Sequence, residues 1–240
     1  MTQLEICINA DDLHSLEANV AAALQGGASR IELCADMQQQ GMTPTVLAMQ
    51  KARQAFATAP GLLVMVRFRS DDQIQTKADF ASMQLAIAQA ADAGANGVVL
   101  GLLNQQRGLD LPSLDLLVSQ AKKLGLQVTF HRAFDAIAHQ HQALEQLIER
   151  GIDRVLSAGT LWGSDLGVIQ GLDRLQQLKT QAAGRIELVV GGGVNLGNLA
   201  KIVDSLKAAD HFWSVHSHSA VLSQGRVDPQ KVAAMIRLCQ

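Results

Sequence analysis

Two thiols, several acids, two arginines and two histidines stand in or at the ends of short β-rich runs. Glu5 and Cys7 lie in LEICIN (4–9), and Glu32 and Cys34 in RIELCAD (30–36). Arg67 and Arg69 close LLVMVRFR (62–69), His131 and Asp135 close QVTFHRAFD (127–135), and His216 and Ser217 sit in FWSVHSH (212–218). These types support two chemistries. A pair of thiolates is a soft ligand set suited to Cu(I). Guanidinium groups clamp a carboxylate or phosphate through paired N–H donors, and a Glu or His beside the bound anion then serves as general acid or base.

For the first chemistry the candidates are Cys7 and Cys34, with His131 or His216 as auxiliary ligands. Spacing alone favours the plainer alternative that both are buried thiols acting as small hydrophobes, because twenty-six intervening residues match no recognised metal spacing. For the second, Glu5, His131 and His216 are the candidate acid–base groups. Glu32, Arg67, Arg69, Asp135, Gly192, Gly193 and Ser217 are the candidate ligand-binding residues. The glycines belong to GGGV (191–194) ahead of a helical pattern, where backbone amides can approach an anion. No lysine stands at a strand end, which argues against a Schiff base. Isomerase or lyase chemistry on a small anionic metabolite, phosphorylated or not, fits this second set.

The elements that must position these groups repeat from end to end. The remaining β-rich runs are GVVLGLL (97–103), RVLSAG (154–159) and IELVVGGGV (186–194), giving eight in all. Amphipathic stretches with apolar residues at i, i+3, i+4 separate them, and Asp228 followed by Pro229 opens the last helix. Repeating βα units demand a parallel sheet. Eight of them in 240 residues favour an α/β fold closed as one (β/α)8 barrel of the triosephosphate isomerase type, a single domain over 1–240. Side chains alternate along a strand, so parity separates the helix-facing set from the lumen. Leu4, Ile6 and Ile8 face out, whereas Glu5 and Cys7 face in; the same parity puts Glu32, Cys34, Arg67, Arg69, Thr129, His131, Asp135 and His216 in the lumen. Arg132 has the opposite parity and is expected to pair with a carboxylate between strand and helix. His14, His139, His141 and His211 fall in helix or loop patterns and are expected at the surface.

Composition narrows the function classes. Hydrophobic residues are 48%, enough for a large core, and aromatics only 3%, so that core is aliphatic. A net charge of -2 without basic runs gives no footprint for nucleic acid. No apolar run reaches membrane-spanning length, and MTQLEICINADD lacks the basic start and apolar run of a signal peptide, so the expected address is the cytoplasm. Three cysteines are too few for a disulfide framework.

The same residues resemble the copper homeostasis protein CutC family. The similar segments, in order, are LEIC, SRIELCAD, GMTPT, the R-x-R of Arg67 and Arg69, VTFHRAFD, RVLSAG, GGGV and VHS. The resemblance spans nearly the whole chain and implies a cytoplasmic barrel that self-associates and handles copper, with Cys7 and Cys34 matching the proposed Cu(I) ligands. It implies no further cofactor. The chain departs from the family pattern at RFRSDDQ, where the family carries R-P-R-G-G-D-F, and in a shorter loop between the eighth strand and the last helix. The expected partners are therefore a copper ion or a small anionic ligand, and a second copy of the chain, with no nucleic acid or membrane.

Overall fold

The computed structural model describes residues 2–72, 76–207 and 212–240. Eight parallel strands close into one barrel in chain order: β1 (Gln3–Asn9), β2 (Arg30–Cys34), β3 (Leu62–Met65), β4 (Gly97–Leu100), β5 (Gln127–Phe130), β6 (Arg154–Ser157), β7 (Glu187–Val190) and β8 (Trp213–Ser217). The helices that alternate with them are α1 (Leu13–Gln25), α2 (Val46–Phe56), α3 (Lys77–Asp92), α4 (Leu111–Lys123), α5 (Gln140–Glu149), α6 (Leu172–Ala182), α7 (Leu199–Leu206) and α8 (Pro229–Leu238). Closure is sealed by the parallel pairing of Leu4 with Val215 and Glu5 with His216. The expected (β/α)8 architecture is therefore the one observed.

Local sequence explains where helices begin. Asp12 accepts the His14 amide at the start of α1, and Thr76 and Asp79 form a reciprocal capping box on α3. Asp228 caps α8 with Pro229 at its first position. Among the described residues no helix is long and apolar enough to cross a membrane.

Parity sorts the core as anticipated. Leu4, Ile6, Ile8, Ile31, Leu33 and Val64 are buried against the helix ring, which presents residues such as Leu16, Val20, Met49 and Phe56. A separate apolar cluster fills part of the lumen: Cys7, Cys34, Leu63, Met65 and Val99, with Met37 packed against it.

The strands are shorter than the sequence pattern suggests. Pairing in β3 ends at Met65, in β5 at Phe130 and in β7 at Val190. After Phe130 the chain tightens into a 3-10 turn over Arg132–Ala136, because His131 Nδ1 accepts the Ala133 amide. Alternation therefore fails beyond His131, and Asp135 does not share its face.

Below the apolar cluster lies a layer of charge that the sequence reading overlooked, although Arg30, Arg154 and Glu187 all have lumen parity. Arg30 Nε donates to Glu5 Oε2 at 2.8 Å, and its two terminal nitrogens donate to Glu187 at 3.1 and 2.7 Å. Arg30 also donates to Ser214 Oγ, and Arg154 Nε lies 3.2 Å from Glu187 Oε2. All four charged side chains are almost wholly buried. Desolvation costs several kcal/mol per ion, on an order-of-magnitude scale, so the layer is tolerated only because each charge meets its opposite. Replacing Glu187 by Gln strands Arg30 and Arg154 beside each other. The expected loss is about 3–5 kcal/mol of unfolding free energy by urea denaturation; a loss below ~1 kcal/mol contradicts a paired network, since that is the scale of an exposed ion pair.

Candidate metal centre

The C-terminal mouth of the barrel encloses a cavity of about 560 Å³. Cys7 and Glu32 from β1 and β2, Cys34 from the end of β2, and Met65 from β3 line it, together with Met37 from the turn after β2. Arg67, Asp72, His131, Arg132, His216 and His218 complete its polar wall, and the segment 162–167 covers one side. One sulfur of Cys7, one of Cys34 and one oxygen of Glu32 lie within 4.8 Å of one another, and so do ligand atoms of Glu5, Glu32 and His216. The thiol pair expected from resemblance is thus brought together, at the functional end of the barrel.

Charge polarises this pair. Cys34 hydrogen-bonds to Cys7, and His216 and His218 add further donors, so the Cys7 thiol is lowered well below its ordinary value despite its burial. The same contact with Cys7 raises Cys34 well above its own, and burial adds to the rise. Burial lifts the Glu32 carboxyl well above the usual range, with only His216 opposing the rise. His216 is held between carboxylates, Nδ1 at 2.8 Å from Glu5 Oε1 and Nε2 at 3.6 Å from Glu32 Oε2. Burial alone would favour its neutral form; Glu32, Cys7 and Glu5 together raise it well above 6.5.

Several expectations need correction. Glu5 lies under the cavity rather than on it. Burial opposes its charge, but the His216 hydrogen bond and Arg30 prevail and hold it down to about 2. Its two oxygens are engaged by Arg30 and His216. Arg69 points away from the cavity and pairs with exposed Asp71 at 3.2 Å, because the chain leaves strand geometry after Met65. Arg67 does reach the cavity, but Asp72, Ser70 and the carbonyls of Gln39 and Gly41 already accept its donors. Asp135 is fully buried against Arg132, Ser157 and the Ala158 amide, a structural post. Ser217 has helix-facing parity and donates to the Val194 carbonyl. The Gly192–Gly193 turn does line the cavity; only the helix start expected right after it is displaced, α7 beginning at Leu199 with Asn195 and Asn198 bonding across the intervening turn. His14, His139 and His141 are at the surface as expected; His211 lies outside the described residues.

The sequence reading missed Met37, Asp72, Trp162 and His218. Met65 had lumen parity, and so did His218, which reaches the cavity and donates from Nδ1 to the Cys7 carbonyl at 3.0 Å. Asp72 and Trp162 sit on irregular loops, where no periodicity signals direction. His131 is where parity put it, its ring flat against Gly101: a Cβ there would fall 2.3 Å from the imidazole. Nδ1 accepts from Ala133, so Nε2 carries the proton; it faces Asp72 at 3.5 Å and has no hydrogen-bond partner among the described residues.

Fold and site together define a (β/α)8 barrel with a buried thiol pair at its C-terminal mouth. Residues 2–216 match the family model described as the CutC family, and the chain belongs to that family. It is 40% identical to a CutC family protein of Vibrio campbellii, over 87% of this chain and 80% of the relative. A CutC family protein of Bacteroides thetaiotaomicron is also 40% identical, over 88% and 80%. A solved structure described as a candidate copper homeostasis protein, CutC of Streptococcus agalactiae, superposes with a TM-score of 0.77 at 26% identity, covering 91% of this chain and 99% of that one.

Burial, followed by the Arg67 charge, lowers His131 to about 4 from 6.5, with Asp72 opposing only in part. Between those values the unfolded chain binds a proton that the folded chain refuses, so stability rises with pH from about 4 to 6.5. NMR titration should show the His131 ring neutral at pH 5, and His131→Phe should flatten that part of the stability profile relative to wild type. A His131 midpoint near 6.5 contradicts the assignment.

Proposed function

We propose that the chain binds Cu(I) as cargo at Cys7 and Cys34 and serves copper homeostasis. The observation that carries this reading is the soft donor set: two adjacent buried thiols, one of them depressed toward the thiolate, with the thioethers of Met65 and Met37 in the same cluster. Thiolate and thioether sulfur select Cu(I) over the harder divalent ions. The protonated His216 favours the thiolate form of Cys7 electrostatically, and the lumen cluster keeps water from the sulfurs. Copper homeostasis also agrees with the role suggested for the Streptococcus agalactiae protein.

The proposal extends to a cytoplasmic address, which the family resemblance implies. Self-association is carried by the family resemblance alone. The acid–base enzyme reading is weaker, since Glu5 is locked as an ion pair, Arg67 is already satisfied and Arg69 faces away.

The test is an anaerobic Cu(I) titration against a competing chelator, free of added thiols. Wild type should compete for the metal, and Cys7→Ser/Cys34→Ser should not. Met65→Leu should weaken binding on the order of tenfold, the scale seen for groups that support metal ligands. Unchanged affinity in the double variant overturns the proposal.

A further inference from the structure

Across the cavity from the thiols, Arg132 presents an arginine head that the fold leaves half used. Its Nε donates to Asp135 at 2.9 Å, and the guanidinium carbon stacks 4.9 Å above the Trp162 ring. Among the described residues nothing accepts from its two terminal nitrogens, and the side chain is only 28% exposed. The ion pair with Asp135 fixes the plane, and the indole fixes the height. The head is therefore preorganised, with its outer edge turned to the cavity that Arg132 lines.

The wall beside it is backbone. A Cβ built on Gly192 would stand 3.4 Å from the Arg132 guanidinium carbon and 2.5 Å from the Ala158 methyl, so only glycine allows this approach. Gly192 and Gly193 have φ of 88° and 89°, the region that glycine alone adopts without strain. Their carbonyls are engaged: Gly192 accepts the Val168 amide, and Gly193 accepts the side-chain amides of Asn195 and Asn198. Their own N–H groups donate to no acceptor among the described residues. Donors of two kinds without acceptors among the described residues, guanidinium and backbone amide, thus belong to neighbouring residues of the cavity lining.

The neighbouring acids do not fill that role. Asp135 is consumed by Arg132, Ser157 and Ala158, Asp72 by Arg67, and Asp165 on the covering segment is exposed to solvent. Elsewhere on the wall, Glu32 Oε1 and His131 Nε2 are buried without partners. Buried polar atoms without partners are costly unless something satisfies them. A cavity of about 560 Å³ is the size of a small organic molecule's site.

We infer that Arg132, with the amides of Gly192 and Gly193, forms a subsite for the carboxylate or phosphate group of a small organic anion. The planar edge of the guanidinium matches two oxygens at once, and the glycine amides meet the same charge from the side. The inference stands apart from the copper reading, because none of these donors is a metal ligand and the binding needs no metal.

Metal-free wild-type protein should be titrated with inorganic phosphate and, separately, with succinate, following backbone amides and the two tryptophan indoles by NMR. Saturable shifts are expected at Gly192, Gly193 and Trp162, with Trp213 still; the tighter of the two probes identifies the preferred oxyanion. By calorimetry Arg132→Lys should weaken that probe about tenfold, because a lysine keeps the charge and loses the planar fork. Arg69→Gln, which alters a charge outside the cavity, should bind as wild type. Absence of saturable shifts at both glycines with both probes overturns the inference, as does unchanged affinity in Arg132→Lys. Should Arg132→Lys fail to fold for want of a partner to Asp135, the wild-type spectra at both glycines still decide.

Discussion

Glu5 is the residue through which the two halves of the lumen communicate. One of its oxygens accepts from Arg30 and the other faces His216, each at 2.8 Å. Below, Arg30 passes the charge to Glu187, which also meets Arg154. Above, His216 faces Glu32 and Cys7. The sign alternates from the floor of the barrel to its mouth, and this alternation is what permits so much charge inside a space usually packed with branched aliphatics. His216 and Arg30 hold Glu5 low, Glu32, Cys7 and Glu5 together raise His216, and Cys34 first, then His216 and His218, lower Cys7.

At the top of the column one imidazolium serves two acids. Cys7 has three donors nearby, from Cys34, His216 and His218, whereas Glu32 Oε1 has none. Burial accordingly holds Glu32 well above the usual carboxyl range, while these donors hold Cys7 well below the usual thiol range. An ionised sulfur beside a second thiol and two thioethers is a soft site made without any change in backbone. Its position on β1 and β2, the strands that pair through Cys7 and Glu32, gives it the rigidity of the barrel rather than that of a loop.

Much of this was legible in the chain. The eight βα units and their parity gave the barrel and the inward direction of Glu5, Cys7, Glu32, Cys34, His131 and His216, because alternation is reliable while a strand lasts. It fails where strands end. Arg69 and Asp135 lie a few residues past Met65 and Phe130, in turns whose direction depends on hydrogen bonds such as that from Ala133 to His131. Arg132 shows both sides of this. Its pairing with a carboxylate was foreseen, but its place on the cavity was not, since the 3-10 turn swings it to the mouth. Arg30, Arg154 and Glu187 were missed for a different reason. They lie at strand beginnings, where a charged residue also fits a solvated loop edge, and only closure of the barrel shows them meeting.

The resting charge of Cys7 is the consequence on which the whole column converges. It can be measured through the ultraviolet absorbance of thiolate in metal-free protein as pH is raised, in wild type and in the two single serine variants. One thiolate should already be present at neutral pH, be lost in Cys7→Ser and persist in Cys34→Ser, though titrating higher without the Cys34 donor. Appearance of thiolate only at or above the ordinary value of 9.0 in wild type would contradict the stabilisation of the Cys7 anion by Cys34, His216 and His218.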